Sequence, residues 1–172
     1  MKKLFLVVFS LTINVDSFAA FESTYEPLQS EKVLFINGNI LDGEGNELLD
    51  TDLLIGDGKI IAIGKGIGVE DKDVKIIDAK NKWITPGIID IHSHMGVYPA
   101  PSVRTSSDGN EATSPVTAEV WAEHSMWVQD PQYALALKGG ITTFHVLPGS
   151  ANLIGGRGVT VKNLQRNTIQ SM

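Results

Sequence analysis

The chain has 172 residues, of which 42% are hydrophobic and 20% charged. That is a globular composition, sufficient for one ordinary domain or two small ones. Its 14 Lys+Arg against 20 Asp+Glu leave a net charge of −6, which excludes the basic footprint of a nucleic-acid binder and of a protein held on anionic lipid. The absence of cysteine excludes disulfides, thiolate-bound zinc, a thiol nucleophile and the lipid-bearing residue of a lipoprotein.

Met1-Lys2-Lys3 is a short basic start, and the apolar run Leu4-Phe5-Leu6-Val7-Val8-Phe9 extends to about Val15. Ser17-Phe18-Ala19 then supplies small residues on either side of Phe18, as a peptidase cutting after Ala19 requires. The layout predicts a signal peptide over residues 1–19 and export to the periplasm or the exterior. The competing expectation is a buried N-terminal strand or an uncleaved anchor, but the apolar run is too short to span a bilayer comfortably. No integral membrane segment is expected after cleavage.

From Lys32 to Ala79, short β-branched runs alternate with glycine. Val33 to Ile36 leads into Asn37-Gly38, a dipeptide suited to a type I′ turn, and Asn39 to Leu41 leads into Asp42-Gly43-Glu44-Gly45-Asn46. Leu53 to Gly56 and Lys59 to Ile63 flank Asp57-Gly58, a clear hairpin signal, and Val74 to Ile77 adds a strand. The prediction for residues 20–84 is a small antiparallel sheet, one portion of a β-sandwich.

The pattern changes at Trp83-Ile84-Thr85-Pro86-Gly87. Ile88-Ile89-Asp90-Ile91-His92 has apolar residues on both faces, as strands of a parallel sheet covered by helices do. Residues 98–114 read as a long surface loop. Ser114-Pro115 then predicts a helix start, with Val116, Val120, His124 and Trp127 near one face. A second helix is framed by Asp130 as cap, Pro131 at its first position and Gly139-Gly140 at its end. Ile141 to Val146 follows as a strand stopped by Pro148-Gly149, completing a parallel βαβ unit. Val159 to Lys162 is a candidate third strand.

His92-Ser93-His94 is the chemically informative motif. Residues two apart in a strand share a face with Cα atoms about 6–7 Å apart, so two imidazoles can converge on one ion at Zn–N distances of about 2.0–2.1 Å. The pair ends the first parallel strand, where barrel enzymes place catalytic groups. Asp90 shares their face one step deeper and can orient a ligand without touching the ion. A bare H-x-H also arises by chance in two polar residues closing a strand; the flanking motifs make it specific.

Those motifs together resemble the amidohydrolase superfamily of metal-dependent hydrolases. Leu53 to Ile63 resembles the β-sandwich that precedes the barrel in that family. Thr85 to His94 resembles its first barrel strand with the paired metal-binding histidines, and Gly139-Gly140-Ile141-Thr142-Thr143 its junction into the second strand. Leu147 to Gly156 is similar to the imidazolonepropionase-like branch. The resemblance implies one or two divalent metal ions, usually zinc in that family, of the kind that lowers the pKa of water toward ~7 and polarises a carbonyl, and a small-molecule or peptide-like substrate cleaved at a C–N bond. It also implies a lysine or glutamate, two further histidines and an aspartate as general base on later strands, none of which can be matched here. His92 and His94 are therefore the expected metal ligands, Asp90 their support, and no catalytic base is assigned.

Other candidates have plainer readings. Lys162 lies on what would be a third strand, whereas the family's lysine ligand sits on the fourth, so a solvated lysine is expected. His145 is expected to be a satisfied polar residue, and His124 is better explained by packing. Gly155-Gly156-Arg157-Gly158 lacks the lysine-serine/threonine ending of a phosphate loop, Pro148-Gly149-Ser150-Ala151 is not a nucleophile elbow, and Asp42 to Asn46 has the wrong spacing for calcium. Only 78 residues follow His94, against about 250 in a full eight-stranded barrel. The expected class is α/β: a β-sandwich portion over 20–84, then the first two or three strands of an incomplete (β/α)8 TIM-type barrel over 85–172. Such an N-terminal part is expected to be inactive alone. The alternative is a secreted, non-catalytic β-rich module or a degenerate remnant of the enzyme.

Overall fold

In the computed structural model, which describes residues 22–172, the β-branched runs of the first half form five strands. These are β1 (Val33–Leu41), β2 (Glu47–Gly56), β3 (Lys59–Gly64), β4 (Lys75–Asp78) and β5 (Trp83–Ile84). The signal expected over residues 1–19 lies outside the described residues. The sheet order is β3-β2-β1-β4, with β5 also on β1. The β2–β3 hairpin turns at Asp57 and Gly58 with φ of 51° and 70°, the left-handed pair that a type I′ turn requires. Between β1 and β2, Asp42 accepts the side-chain amide of Asn46 at 2.7 Å and the backbone N–H groups of Glu44 and Asn46 at 2.8 and 3.1 Å. Those bonds, the Asn46 side chain foremost, hold its carboxyl below the usual range.

Two expectations for this sheet fail. Asn37-Gly38 is not a turn but an irregularity inside β1, with Asn37 at φ 60°. Asp52 accepts the Asn37 N–H at 3.0 Å and Asp78 accepts its side-chain amide at 3.1 Å, so neighbouring strands satisfy the groups a hairpin would have paired. A side chain at Gly38 would meet Ile84 and Ala79. Nor is the sheet wholly antiparallel: β4 and β5 both run parallel to β1, because residues 65–74 carry the chain across to the far side of β1. The kink at Asn37 divides β1 between these partners, Val33 to Ile36 facing β4 and Asn39-Ile40 facing β5. Among the described residues this is one sheet rather than a two-sheet sandwich, and Ile60, Ile61, Ile76 and Trp83 stay exposed.

The second half contains β6 (Ile88–Ser93), α1 (Gln132–Lys138), β7 (Ile141–Val146) and β8 (Val159–Lys162). The predicted βαβ unit is present, with β6 parallel to β7. Gly139 and Gly140 end α1 through N–H bonds to Ala136, Leu135 and Leu137 carbonyls, and the Gly140 carbonyl then accepts the Ile88 N–H at 2.9 Å. In contrast, β8 is antiparallel to β7. The connection over residues 147–158 holds no helix, whereas a parallel return needs a crossover of a dozen or more residues, usually helical.

The helix expected from Ser114-Pro115 does not form. Residues 116–121 instead run beside 154–157, bridged at Val116–Ile154 and Trp121–Arg157. Arg157 N–H donates to Val120 at 2.7 Å, and its guanidinium lies 4.7 Å from the centre of the Trp121 ring. These long-range contacts override a local helical periodicity, leaving a single 3-10 turn, Ala122–His124. His124 is consequently exposed beside the Glu123 carboxylate at 3.6 Å rather than packed.

Val97, Ala122, Met126, Tyr133, Phe144, Val146, Val161, Ile169 and Met172 form the buried core of this half. Tyr133 and Phe144 pack with ring centres 5.8 Å apart. Burial, and then the negative charge of Asp130, push the Tyr133 hydroxyl above the usual tyrosine range. The expectation that β6 is covered on both faces is not met: Ile88, Ile89 and Ile91 are exposed, Ile91 at 75%. It is an edge strand, and no layer among the described residues lies over it.

Asp52 ties the first sheet together, accepting N–H bonds from Asn37 and, at 3.1 Å, from Ile67; the Asn37 bond is the main reason its carboxyl lies below the usual range. Asp52→Ala should destabilise the fold by about 1–3 kcal/mol at neutral pH, the cost of stranding buried donors. A depressed carboxyl stabilises fully above the unfolded value of about 3.9 and loses that contribution as pH falls through its folded value. Urea titrations should therefore show the wild-type advantage shrinking only below about pH 4.

Candidate metal centre

The site begins with the ladder between β6 and β7. Its register pairs Ser93 with Val146, and the pairing runs one step further: Leu147 N–H donates to the Ser93 carbonyl at 2.9 Å. The next acceptor, the Leu147 carbonyl, lies 2.9 Å from Nδ1 of His94. A carbonyl can only accept, so Nδ1 carries a proton, and in the neutral ring Nε2 is then the nitrogen with the bare lone pair. This is the arrangement of metal-ligating histidines, whose other nitrogen donates to a carbonyl or carboxylate.

His92 stands beside it, with ring centres 5.3 Å apart and planes at 84°. Two imidazoles bound through nitrogen to one tetrahedral ion at about 2.0–2.1 Å would have their centres roughly 5 Å apart, so the observed spacing fits a shared ion. His92 is exposed and His94 half-buried, which leaves the pair open to solvent. No group of three or more His, Cys, Asp or Glu suited to a metal occurs among the described residues.

Asp90 is half-buried, and its carboxylate accepts the backbone N–H of His92 at 3.1 Å. The contact steadies the main chain at His92 rather than its ring. The other histidines lie apart in role: His145 shares a 2.9 Å hydrogen bond between Nδ1 and the Thr160 hydroxyl, matching the expectation of a satisfied polar residue. Lys162 is exposed on β8.

Sequence reasoning missed three supports. The Leu147 carbonyl has no side-chain signature. Tyr98 sets its ring edge-on to His94, with centres 5.6 Å apart. Asp130 was expected only as a helix cap; it does accept the Gln132 N–H at 3.0 Å, one residue ahead of the Pro131 cap position. It also accepts the Gly96 and Ala100 N–H groups at 3.1 and 3.3 Å, so this buried carboxylate straps the turn after His94 to the start of α1. An aspartate immediately before proline at a helix start was the available signal, and it pointed only to the local bond.

No family model matches the chain. It is 35% identical over 114 residues to amidohydrolase tasK of Hapsidospora irregularis, covering 65% of this chain and 12% of that protein. It is 34% identical over 117 residues to a dihydroorotase of Bacillus cytotoxicus, covering 68% of this chain and 21% of that one. A crystal structure of an amidohydrolase from Thermotoga maritima superposes with a TM-score of 0.68 at 38% identity, covering 80% of this chain and 35% of that one. The chain thus spans a third or less of the length of the curated relatives named here.

Asp130→Ala strands the N–H groups of Gly96, Ala100 and Gln132. It should cost about 3 kcal/mol, since bonds to a charged acceptor are worth about 1.5–3 kcal/mol each and are not additive. Thermal unfolding checks this; an unchanged midpoint would contradict the strap.

Proposed function

Taking as premise that the chain belongs to the amidohydrolase superfamily, we propose that it forms the metal-binding N-terminal part of a hydrolase acting on C–N bonds in amides, peptides or cyclic amides. The observation that carries this reading is the His94 bond to Leu147, which leaves Nε2 bare next to His92. His92 and His94 would hold a divalent ion, zinc by the chemistry of an imidazole pair. When bound, such an ion supplies an activated water near neutral pH and polarises the scissile carbonyl.

The chain's own residues prepare that site. Leu147 fixes the proton of His94 on Nδ1, Asp90 fixes the backbone of His92, and Asp130 anchors the turn that follows. Two imidazoles make half a tetrahedral shell, so catalysis needs further ligands and a general base that residues 22–172 do not bring to the pair. By itself the 172-residue chain is therefore expected to bind metal without turnover. Dihydroorotase and amidohydrolase relatives favour small amide-type substrates over macromolecules. The imidazolonepropionase-like assignment rests on Leu147 to Gly156 alone. The non-catalytic alternative leaves the bare Nε2 without a purpose.

No described helix is long and apolar enough to cross a membrane. Export rests on the N-terminal sequence, and domains are assigned as 20–84 and 85–172 from the change in strand pattern at Pro86-Gly87. Expression in a bacterial host should yield a periplasmic or secreted product whose N-terminus, read by mass spectrometry, is Ala20; an intact Met1 in the cytoplasm would remove this part of the proposal.

Zinc titration by calorimetry tests the centre. One ion per chain is expected, with His92→Ala and His94→Ala each weakening binding by at least about tenfold. Unchanged binding in both variants would refute the assignment, and turnover of dipeptides or cyclic amides by this chain alone would refute the need for further ligands.

A further inference from the structure

Tyr98 follows His94 by one turn, its N–H donating to the His94 carbonyl at 3.0 Å. Its ring stands edge-on to the His94 imidazole, at 5.6 Å between centres and 83° between planes, a favourable aromatic geometry. The Tyr98 hydroxyl accepts a hydrogen bond from the side-chain amide of Asn110. Asn110 in turn accepts the Ala151 N–H at 3.1 Å, and Gly149 N–H donates to the Gly109 carbonyl at 2.6 Å. One side chain therefore touches the loop after β6, the loop around residue 110 and the loop after β7.

Two glycines make room for it. A β-carbon on Gly109 would overlap the Tyr98 ring, and one on Gly149 would overlap its hydroxyl and the Asn110 amide. Neither glycine has a positive φ, so close approach rather than backbone conformation explains the choice of residue. His94 is thus held on both sides: the Leu147 carbonyl fixes Nδ1, and the Tyr98 ring fixes the plane.

We propose that Tyr98 is a positioning residue for the metal centre, holding the His94 ring against Leu147 so that the neutral ring keeps its proton on Nδ1, with Gly109 and Gly149 serving as its socket. The purpose of this device rests on the reading of His94 as a ligand. The contact itself does not need a metal, and a metal-free measurement can test it.

Nitrogen-15 NMR of the histidine side chains, recorded above the imidazole titration range, reports which nitrogen of His94 carries the proton. Wild type should show the Nδ1-protonated form. Tyr98→Phe keeps the ring and should keep that form, while Tyr98→Ala should give a mixture of tautomers. Gly109→Ala, which crowds the ring without altering Tyr98, should give the same mixture and guards against misfolding of the alanine variant. Zinc affinity should fall about 10- to 100-fold in Tyr98→Ala and stay near wild type in Tyr98→Phe. A His94 signal identical in wild type, Tyr98→Ala and Gly109→Ala overturns the inference. A wild type that shows the tautomer pattern but takes up no zinc overturns the metal reading and supports the positioning role.

Discussion

The parallel pairing of β6 with β7 is the constraint on which the site depends. Their ladder continues through Leu147 N–H to the Ser93 carbonyl and then to the imidazole of His94. The side chain takes the place of the next backbone donor. A histidine two residues earlier or later on β6 would not meet that carbonyl, so strand register and proton position on the ring are one property. The connection makes register costly to lose, because slipping β6 by one residue would exchange the faces of Asp90, His92 and Ser93.

The connecting segment reinforces the same register from the other side of the sheet. Phe144 and Val146 on β7 pack into the core with Tyr133 of α1. Asp130, one residue ahead of the Pro131 cap of that helix, reaches back to Gly96 and Ala100. Helix packing, worth about 1.5–3 kcal/mol per large apolar side chain buried, thereby fixes the turn that follows the histidines. The same packing sets the buried Tyr133 hydroxyl, which has no hydrogen-bond partner, against Gly96, where a side chain would occupy its space.

What the sequence made legible was local. Asp57-Gly58 demanded left-handed backbone and received it, Gly139-Gly140 ended α1, and H-x-H at the close of an apolar run placed two imidazoles on one side of a strand end. What it concealed was non-local. Asn37-Gly38 offers the same left-handed freedom to a hairpin and to a kinked strand, and only Asp52 and Asp78 on neighbouring strands decide between them. The periodicity of Val116 and Val120 is real, yet residues 154–157 supply a competing partner 38 positions away at the Val116–Ile154 bridge. The Leu147 carbonyl was invisible because every residue has one. Direction was equally hidden for β8, since a strand's composition does not say which way it runs.

Exposure on β6 bears on how the site would work. Ile88, Ile89 and Ile91 present apolar surface on an edge strand whose far end carries the histidines. An edge with unpaired backbone groups and apolar side chains is a template for further strands, and the proposed pair of ligands, His92 on β6 and His94 just after it, would be half a tetrahedral shell. A layer that covered β6 would bury the isoleucines, lower the dielectric around His92 and His94, and strengthen every charge interaction at the ion. If His92 and His94 are ligands as proposed, a layer that completed the sheet would also close over the pair, whose ring at His94 is already tied to the Leu147 carbonyl.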